Sequence, residues 1–344
     1  MRHRVALVVI ARDEAPRIGR LLASVAPWVD AMLVLDTGSH DDTVAVARRH
    51  GARVEHFAWC DDFAAARNTS LELAAADWHL VLDADEWLID GGDVLLGLRE
   101  TAPGFVGALQ LLDQAGPRTT SQLWLSRVLP GPVRYAGRVH EQAQHALPGR
   151  RLALRVGHDG YSAERRAAKR GRNRRLLQAE LAAHPQDAYL WYQLGKDCAV
   201  YDEHAAAAAA LQRAEALCTG HPDWRHDLAT RLLFSLKKTG RHAEALDYAQ
   251  ARLDTHAASP DFHFALGDLL LDWAADDPRL AGELLPMAQQ AWQHCLALGE
   301  QPGLSGAVHG RGSWLAAHNL AVVLDGLGQA DEAEALRRRH PAPA

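Results

Sequence analysis

The sequence has 344 residues, a length typical of about two domains. Hydrophobic residues make up 48% and charged residues 23% of the chain, which is typical of a globular protein and argues against disorder. With 37 basic and 43 acidic residues, the formal net charge of -6 leaves no basic excess of the kind usual in nucleic-acid-binding proteins. We therefore expect no nucleic-acid partner.

The N-terminal half begins with an alternation of strand and helix patterns. Apolar runs over 5–10 and 31–35 show no polar alternation, which is typical of parallel strands buried on both faces. Between them Ile18, Leu21, Leu22 and Val25 recur at helical spacing. These segments predict a βαβ unit. The first run is also too short to span a membrane and has no signal-peptide cleavage pattern, so we expect a cytoplasmic protein without a transmembrane segment.

The alternation continues through the first hundred residues. Ser39, Asp41 and Asp42 supply a capping signal for a second helix, which Gly51 ends. The next predicted elements are a strand over 53–57, a helix over 62–76 and a strand over 78–82. This order predicts a doubly wound sheet with helices on both faces.

Past Gly91 the pattern becomes more irregular. Strand-like segments separated by glycine, proline and arginine turns predict mixed or antiparallel strands, over 106–112, 122–129, 133–135 and 152–156. A basic helical stretch over 165–175 then leads into an alanine-rich helical region. We place the boundary there, with one domain over 1–178 and a second over 179–340.

The second domain has a loose internal period. Helix, glycine-containing turn and second helix recur in four segments, beginning near Ala188, His226, Pro260 and Trp314. The pattern resembles the tetratricopeptide repeat, and such repeats bury their apolar faces by stacking. An ordinary alanine-rich helical bundle is the alternative.

The four cysteines, Cys60, Cys198, Cys218 and Cys295, lie far apart and form no CxxC pair. Neither a zinc site nor a disulfide framework is therefore predicted. Isolated thiols of this kind are typical of a reducing compartment.

The segment Asp83-Ala84-Asp85-Glu86 follows directly on an apolar strand. In open α/β sheets, ligands bind beyond the carboxyl ends of the strands. Mg²⁺ typically takes one or two protein carboxylates and completes its octahedron with substrate phosphates and water. Two carboxylates at i and i+2 therefore suggest a cation that neutralises a leaving diphosphate. Taken alone, acids at a strand end are commonly only helix or turn caps.

Other polar clusters stand at the ends of neighbouring predicted strands. They are Ala11-Arg12-Asp13-Glu14, Asp36-Thr37-Gly38-Ser39, and the segment from Trp59 to Asn68 that contains Arg67. Together they predict one crevice lined by acids, hydroxyls, one glycine and one arginine. The alternative takes Ser39, Asp41 and Asp62 as helix caps and Arg67 as a surface charge.

These ordered motifs resemble the family 2 glycosyltransferases with the GT-A fold, and in particular the subgroup of sublancin-type peptide glycosyltransferases with helical repeat tails. A second block also resembles that subgroup, and comprises Arg127, the segment Tyr135 to Glu141, His158 to Tyr161, Lys169, and Arg172-Asn173. The resemblance covers about residues 4–178. It implies a GT-A, Rossmann-like mixed sheet followed by an all-α tetratricopeptide-like domain.

The resemblance also implies roles for single residues. Asp36 and either Asp13 or Glu14 would contact the base and ribose of the donor nucleotide, with backbone contacts from Ala11. Arg67 would face the base or diphosphate, and Asp83 the ribose or sugar. The remaining residues of the expected nucleotide site are Arg12, Gly38, Ser39 and Ala84.

The expected cofactor is Mg²⁺ or Mn²⁺, and the expected donor is a nucleotide-diphosphate sugar, with a UDP-sugar favoured. Asp85 would bind the metal. In this fold a histidine further along the chain often completes metal or diphosphate binding, and His158 is the best candidate. His140 is the competing candidate.

An inverting transfer needs a base that deprotonates the acceptor as it attacks the anomeric carbon. We assign this role to Glu141 in the Val-His-Glu segment. The alternative for Glu141 is a structural ion pair with Arg127 or Arg138.

The sequence thus predicts a metal-dependent, inverting hexosyltransferase-type enzyme acting on a peptide, protein or glycan. Its repeats would bind a partner, the acceptor or a second copy of the chain. A sugar nucleotidyltransferase is a second hypothesis, but no glycine-rich phosphate loop with an activating lysine follows the first strand. A third is an interaction protein in which a catalytically weak transferase domain is joined to a repeat scaffold.

Overall fold

The computed structural model describes residues 2–113, 121–158 and 171–343. Its described residues divide into two compact units, the first ending at Leu176 and the second comprising the residues from Leu177 onward together with residues 121 and 122. Each unit has its own apolar core. Residues 159–161 of the second motif block and residues 165–170 of the basic stretch lie outside the described residues.

The first unit is built on ten described strands. They are β1 (Val5–Ala11), β2 (Ala31–Asp36), β3 (Arg53–His56), β4 (Trp78–Asp83), β5 (Glu86–Asp90), β6 (Val106–Asp113), β7 (Ser121–Pro130), β8 (Arg134–Ala136), β9 (Gln142–Gln144) and β10 (Gly149–His158). Eight of them form one sheet in the order β3-β2-β1-β4-β7-β6-β10-β5. Strands β8 and β9 form a separate antiparallel pair.

The large sheet is parallel at one side and mixed at the other. Strand β1 runs parallel to both β2 and β4, and β2 runs parallel to β3. Strand β7 is antiparallel to β4, and β5 is antiparallel to β10. This confirms the predicted GT-A-like architecture, including the change to mixed pairing past Gly91.

Helices cover both faces of the sheet. The first unit contains α1 (Ala15–Val25), a 3₁₀ turn (Ala26–Trp28), α2 (Thr43–Arg49), α3 (Phe63–Ala74), α4 (Gly92–Leu98) and the start of α5 (Arg172–Ala183). Alternate β1 residues point to opposite faces, so Val5, Leu7 and Val9 pack in the core on the α1 side. Ala6 and Val8 pack in the core on the α3 side. Both faces are therefore buried, as the unbroken apolar run predicts.

Of the residues considered as helix caps, Asp62 and Asp41 make capping hydrogen bonds and Ser39 does not. Asp62 caps α3, as the alternative interpretation held, because its carboxylate accepts the Ala65 N–H at 2.9 Å. The Asp41 carboxylate accepts the Thr43 N–H at 2.9 Å at the start of α2. The Ser39 hydroxyl instead accepts the N–H of Asp13 at 3.0 Å. The capping prediction is therefore wrong for Ser39, which cross-links two loops.

The second unit is helical throughout its regular structure. Within residues 177–343 its elements are the end of α5, α6 (Ala188–Val200), α7 (His204–Leu217), α8 (Arg225–Lys238), α9 (His242–Gln250), α10 (Pro260–Asp276), a 3₁₀ turn (Pro278–Leu280), α11 (Ala281–Leu298), α12 (Trp314–Gly326) and α13 (Ala330–Arg339). Glycines allow close packing within two of the pairs, where Gly195 faces Leu211 and Gly267 faces Trp292. The tetratricopeptide-like arrangement is confirmed.

Across the described ranges, no helix combines the length and the apolar character that a membrane span requires.

Candidate active site

The predicted polar clusters lie at one edge of the large sheet. Ala11 at the end of β1 pairs with Asp36 at the end of β2, and Ile10 pairs with Asp83 at the end of β4. Since the three strands are parallel, the loops that follow them all leave the sheet at the same edge. The structure thus brings together the segments that begin at Ala11, Asp36 and Asp83.

The loops after β1 and β2 are tied to each other. The Asp13 N–H donates to Ser39 Oγ at 3.0 Å, and the Asp13 carboxylate accepts the His40 N–H at 2.7 Å. Asp13 adopts a left-handed backbone conformation with a φ of 54°. The side chains of Asp13 and its neighbour Arg12 are about half exposed. These hydrogen bonds hold the loop tip in place, and its two charged side chains stay half exposed.

Glu14 and Asp36 support this pair of loops. The Glu14 N–H donates to Thr43 Oγ1 at 2.7 Å, and the Glu14 carboxylate pairs with Arg17 at 3.3 Å. The buried Asp36 carboxylate accepts the N–H groups of Gly38 and Ser39 at 3.3 and 3.2 Å. Gly38 has a φ of 103°, which only glycine adopts without strain. The turn after β2 therefore folds around the Asp36 carboxylate.

Asp83 at the end of β4 is held by two arginines. Its Oδ1 atom accepts from Arg67 Nη2 at 2.6 Å, and its Oδ2 atom accepts from Arg127 Nη2 at 2.9 Å. Burial opposes ionisation of this carboxyl, but the positive charges of Arg127 and Arg67 outweigh that effect and hold its pKa far below the usual value. Asp83 is thus a fixed anion at the sheet edge.

Arg67 joins Asp83 to Glu141. Its Nε–H donates to Glu141 Oε1 while Nη2 binds Asp83. The residue is only 4% exposed, so it is not the surface charge considered as an alternative. Its Nη1 atom is buried and has no hydrogen-bond partner among the described residues. Glu141 is ion-paired, as its alternative interpretation held, but with Arg67, which that interpretation did not name.

Two further buried groups belong to this cluster, although no motif indicated a role for them. The Glu86 carboxylate accepts the Asp83 N–H at 2.8 Å and lies 3.7 Å from Arg127. Burial raises the pKa of Glu86 to about 7. Tyr135 is also buried near these charges, and burial raises the pKa of its hydroxyl. The cluster thus combines three acids with two arginines and a phenol.

Asp85 lies next to His158. The His158 Nε2 atom is 3.5 Å from Asp85 Oδ2, and both side chains are almost nine-tenths buried. Strand β10 pairs with β5 so that His158 stands opposite Glu86, which brings the histidine beside the turn that contains Ala84 and Asp85. Of the two histidines considered, the structure places His158 at this position. His140 lies in the loop before β9 with a φ of 52°.

The pair fits a divalent cation that is shared with a substrate. Within the described ranges, no group of three or more histidine, cysteine or acidic side chains is arranged to hold a metal. A carboxylate and an imidazole leave most of an octahedral shell open to phosphate and water, which is the usual environment of Mg²⁺ at phosphate sites. The donor set is therefore suited to a metal that arrives with a nucleotide, and not to a closed structural site.

The chain is similar in sequence to known proteins over both of its halves. Residues 6–102 match the model of glycosyl transferase family 2. A TPR repeat-containing protein of Synechococcus elongatus is 34% identical over 265 residues, which cover 72% of this chain and 66% of that protein. The prophage-derived glycosyltransferase SunS of Bacillus subtilis is 26% identical over 217 residues, which cover 60% of this chain and 51% of SunS.

A solved structure is also similar over part of the chain. Glucosyl-3-phosphoglycerate synthase from Mycobacterium tuberculosis, in complex with Mn²⁺, UDP and glucosyl-3-phosphoglycerate, is 26% identical with a TM-score of 0.28. The match covers 33% of this chain and 45% of that one. Of the two sequence relatives, this chain spans about two thirds of the length of the Synechococcus protein and about half of the length of SunS.

Proposed function

We propose that the N-terminal unit, of which residues 6–102 match the family 2 glycosyltransferase model, transfers a sugar from a nucleotide-diphosphate sugar. The observation that carries the proposal is the pairing of Asp85 with His158 beside the Asp83 cluster, at the carboxyl edge of the sheet. Ligands of open α/β sheets bind at this edge.

The donor nucleotide would bind at the two cross-linked loops. The rigid Asp36 turn and the accessible tip of Arg12 and Asp13 support contacts to the base and ribose. Backbone groups of Ala11, with Glu14, Gly38 and Ser39, would complete the nucleotide site. We infer a UDP-sugar as the preferred donor, with Asp83 and Ala84 on the sugar side.

Asp85 and His158 would hold Mg²⁺ or Mn²⁺ together with the diphosphate. The ion would supply positive charge to the phosphate oxygens as the bond to the sugar breaks. Arg67 lies close enough to Asp83 and Glu141 to set the positions of both carboxylates.

Glu141 would act as the base of an inverting transfer. The acceptor nucleophile would give its proton to the Glu141 carboxylate as it attacks the anomeric carbon, and the sugar would leave the diphosphate on the opposite face. Glu141 shares Arg67 with Asp83, so its carboxylate lies in the same cluster as the proposed donor site, and this location supports the assignment. Glu141→Gln should then remove most of the transfer and keep donor binding, and equal activity of the two proteins would contradict the role.

The acceptor we propose is a peptide, a protein or a glycan, and the repeats would bind this acceptor, another partner or a second copy of the chain. We also propose a cytoplasmic site of action. The four cysteines support it, because all are free thiols in the structure and two of them are buried.

The test uses the full chain with a panel of UDP-, GDP- and TDP-sugars, each with Mn²⁺, with Mg²⁺ and with EDTA. We expect release of nucleoside diphosphate from one class of donor, and thermal stabilisation by that donor, only when a metal is present. If no donor is hydrolysed or bound, the proposal fails and the interaction-protein hypothesis takes its place. In a parallel assay with a sugar 1-phosphate and a nucleoside triphosphate, formation of a nucleotide-sugar with release of pyrophosphate would instead identify a nucleotidyltransferase.

A further inference from the structure

Helix α3 holds the segment that carries Glu141. Strands β8 and β9 flank this segment and are not hydrogen-bonded into the eight-stranded sheet. The Phe63 N–H donates to the Arg138 carbonyl at 2.8 Å, and Arg67 binds Glu141 one turn further along the helix. The position of Glu141 therefore depends on one face of α3.

Asn68 makes the most specific of these contacts. Its Nδ2 group donates to the Tyr135 carbonyl at 2.9 Å, and its Oδ1 atom accepts the Tyr135 N–H at 2.8 Å. A single side-chain amide thus satisfies both backbone groups of one β8 residue. Only a side chain that offers a donor and an acceptor in one plane can make both bonds, so neither Asp nor Leu can replace Asn here.

The segment that follows Tyr135 leads directly to Glu141. Gly137 has a φ of 95° and His140 a φ of 52°, so the chain turns sharply twice before it reaches Glu141. The Tyr135 side chain points back into the charged cluster, with the Arg67 guanidinium carbon 5.7 Å from the centre of its ring. Its hydroxyl is buried without a hydrogen-bond partner among the described residues. A shift of β8 would therefore move both Tyr135 and Glu141 relative to Asp83.

We propose that Asn68 is a positioning residue, which sets Glu141 and Tyr135 against the donor site through its paired hydrogen bonds to the Tyr135 backbone. The inference rests on the proposed glycosyltransferase function. Because both of these hydrogen bonds go to β8 and neither goes to the proposed nucleotide or metal residues, Asn68 should affect turnover and leave nucleotide affinity unchanged.

The experiment compares Asn68→Leu, which removes both hydrogen bonds and keeps the branched shape of the side chain, with Thr69→Val. Thr69 is the matched control because its hydroxyl bonds within α3, to the Ala65 carbonyl at 2.9 Å. For the full chain with Mn²⁺, we would measure UDP release from UDP-glucose, UDP affinity by calorimetry, and amide hydrogen exchange over 134–144 and 78–83.

We expect the Asn68→Leu protein to lose at least tenfold in kcat, to bind UDP within twofold of wild type, and to exchange faster over 134–144 but not over 78–83. Thr69→Val should match wild type in all three measurements. Asn68→Asp keeps the acceptor for the Tyr135 N–H and should change in the same direction, so it serves if the leucine variant does not fold.

Unchanged kcat and unchanged exchange over 134–144 would overturn the inference, and so would equal losses of kcat and UDP affinity. If wild type itself neither hydrolyses UDP-glucose nor binds UDP, the proposed function fails for this donor. Hydrogen exchange over 134–144 then still decides whether Asn68 fixes the segment.

Discussion

The Nε2 atom of His158 lies 3.5 Å from Oδ2 of Asp85 because β10 pairs with β5 in a register that sets His158 opposite Glu86. Neither residue belongs to the parallel half of the sheet, although Asp85 closely follows β4. The contact therefore exists only because the chain returns to this edge through β10. It gives the proposed metal site one ligand from the β4–β5 turn and one from β10.

Asp85→Asn should lower the affinity for UDP in the presence of Mn²⁺ by at least tenfold. The amide keeps the shape of the side chain but removes the negative charge that a hard cation requires. Calorimetric titration of UDP with Mn²⁺ and with EDTA measures the metal-dependent part of the binding. His158→Phe should show the same loss.

His140→Asn is the control for this comparison, because asparagine tolerates the left-handed backbone at that position. It should bind UDP and Mn²⁺ as wild type does. If His140→Asn loses the metal-dependent affinity while Asp85→Asn and His158→Phe retain it, the metal assignment is wrong.

Arg67→Leu should destabilise the first unit by about 3 kcal/mol, because it leaves the largely buried Glu141 carboxylate without its ion-pair partner. The two acids affected are Asp83, which keeps Arg127, and Glu141, whose side chain is 11% exposed. Urea denaturation followed by circular dichroism measures the change. Arg48→Ala at an exposed position of α2 should cost less than about 0.5 kcal/mol. If Arg67→Leu loses as little unfolding free energy as Arg48→Ala, the ion pairs of Arg67 with Asp83 and Glu141 add nothing to stability.

The parallel half of the fold could be predicted because its signals are local. The apolar run of β1 and the helical spacing of Ile18, Leu21, Leu22 and Val25 each report burial directly, and all four of these helix residues are fully buried. The end of a strand also predicts where polar groups meet, which is why Asp36 and Asp83 could be assigned to one edge.

The mixed half could not be predicted in the same detail. Strand β5 is short, begins at Glu86 directly after the acidic turn, and pairs with the distant β10 at the edge of the sheet. A local pattern cannot report such a pairing, and β5 was therefore not predicted. The burial of Arg67 and the contact of Arg127 with Asp83 also depend on elements far apart in the chain. No spacing in the sequence encodes them.

The stability of the first unit should fall as the pH drops from 6.5 to 4, in part because of His79. Burial of the ring, assisted by the charge of Arg134, lowers the pKa of His79 to about 4. Below pH 6.5 the unfolded chain binds a proton at this residue that the folded chain does not, so stability is lost by about 1.4 kcal/mol per pH unit over this interval. Above pH 6.5 both states are neutral and the contribution is constant.

His79→Gln should flatten this pH dependence, as measured by urea midpoints between pH 7 and pH 4. The exposed His145 provides the control, and His145→Gln should leave the slope unchanged. If the urea midpoints of wild type and His79→Gln fall with pH in parallel, His79 titrates in the folded protein as it does in the unfolded chain.

Close packing of Gly267 against Trp292 should limit what the repeat unit tolerates. A Cβ atom at Gly267 would lie 2.7 Å from the Cε2 and Nε1 atoms of the fully buried Trp292, so alanine must displace the indole ring. We expect Gly267→Ala to destabilise the second unit by about 1–3 kcal/mol, since overpacking outweighs the better helix propensity of alanine.

Gly326 at the end of α12 is the matched control for Gly267. No atom lies within 4 Å of the position that a Cβ would occupy there, so Gly326→Ala should be neutral or stabilise by up to about 1 kcal/mol. Thermal denaturation of both variants measures the difference. A Gly267→Ala protein as stable as Gly326→Ala would mean that the α10 and α11 helices separate at no cost.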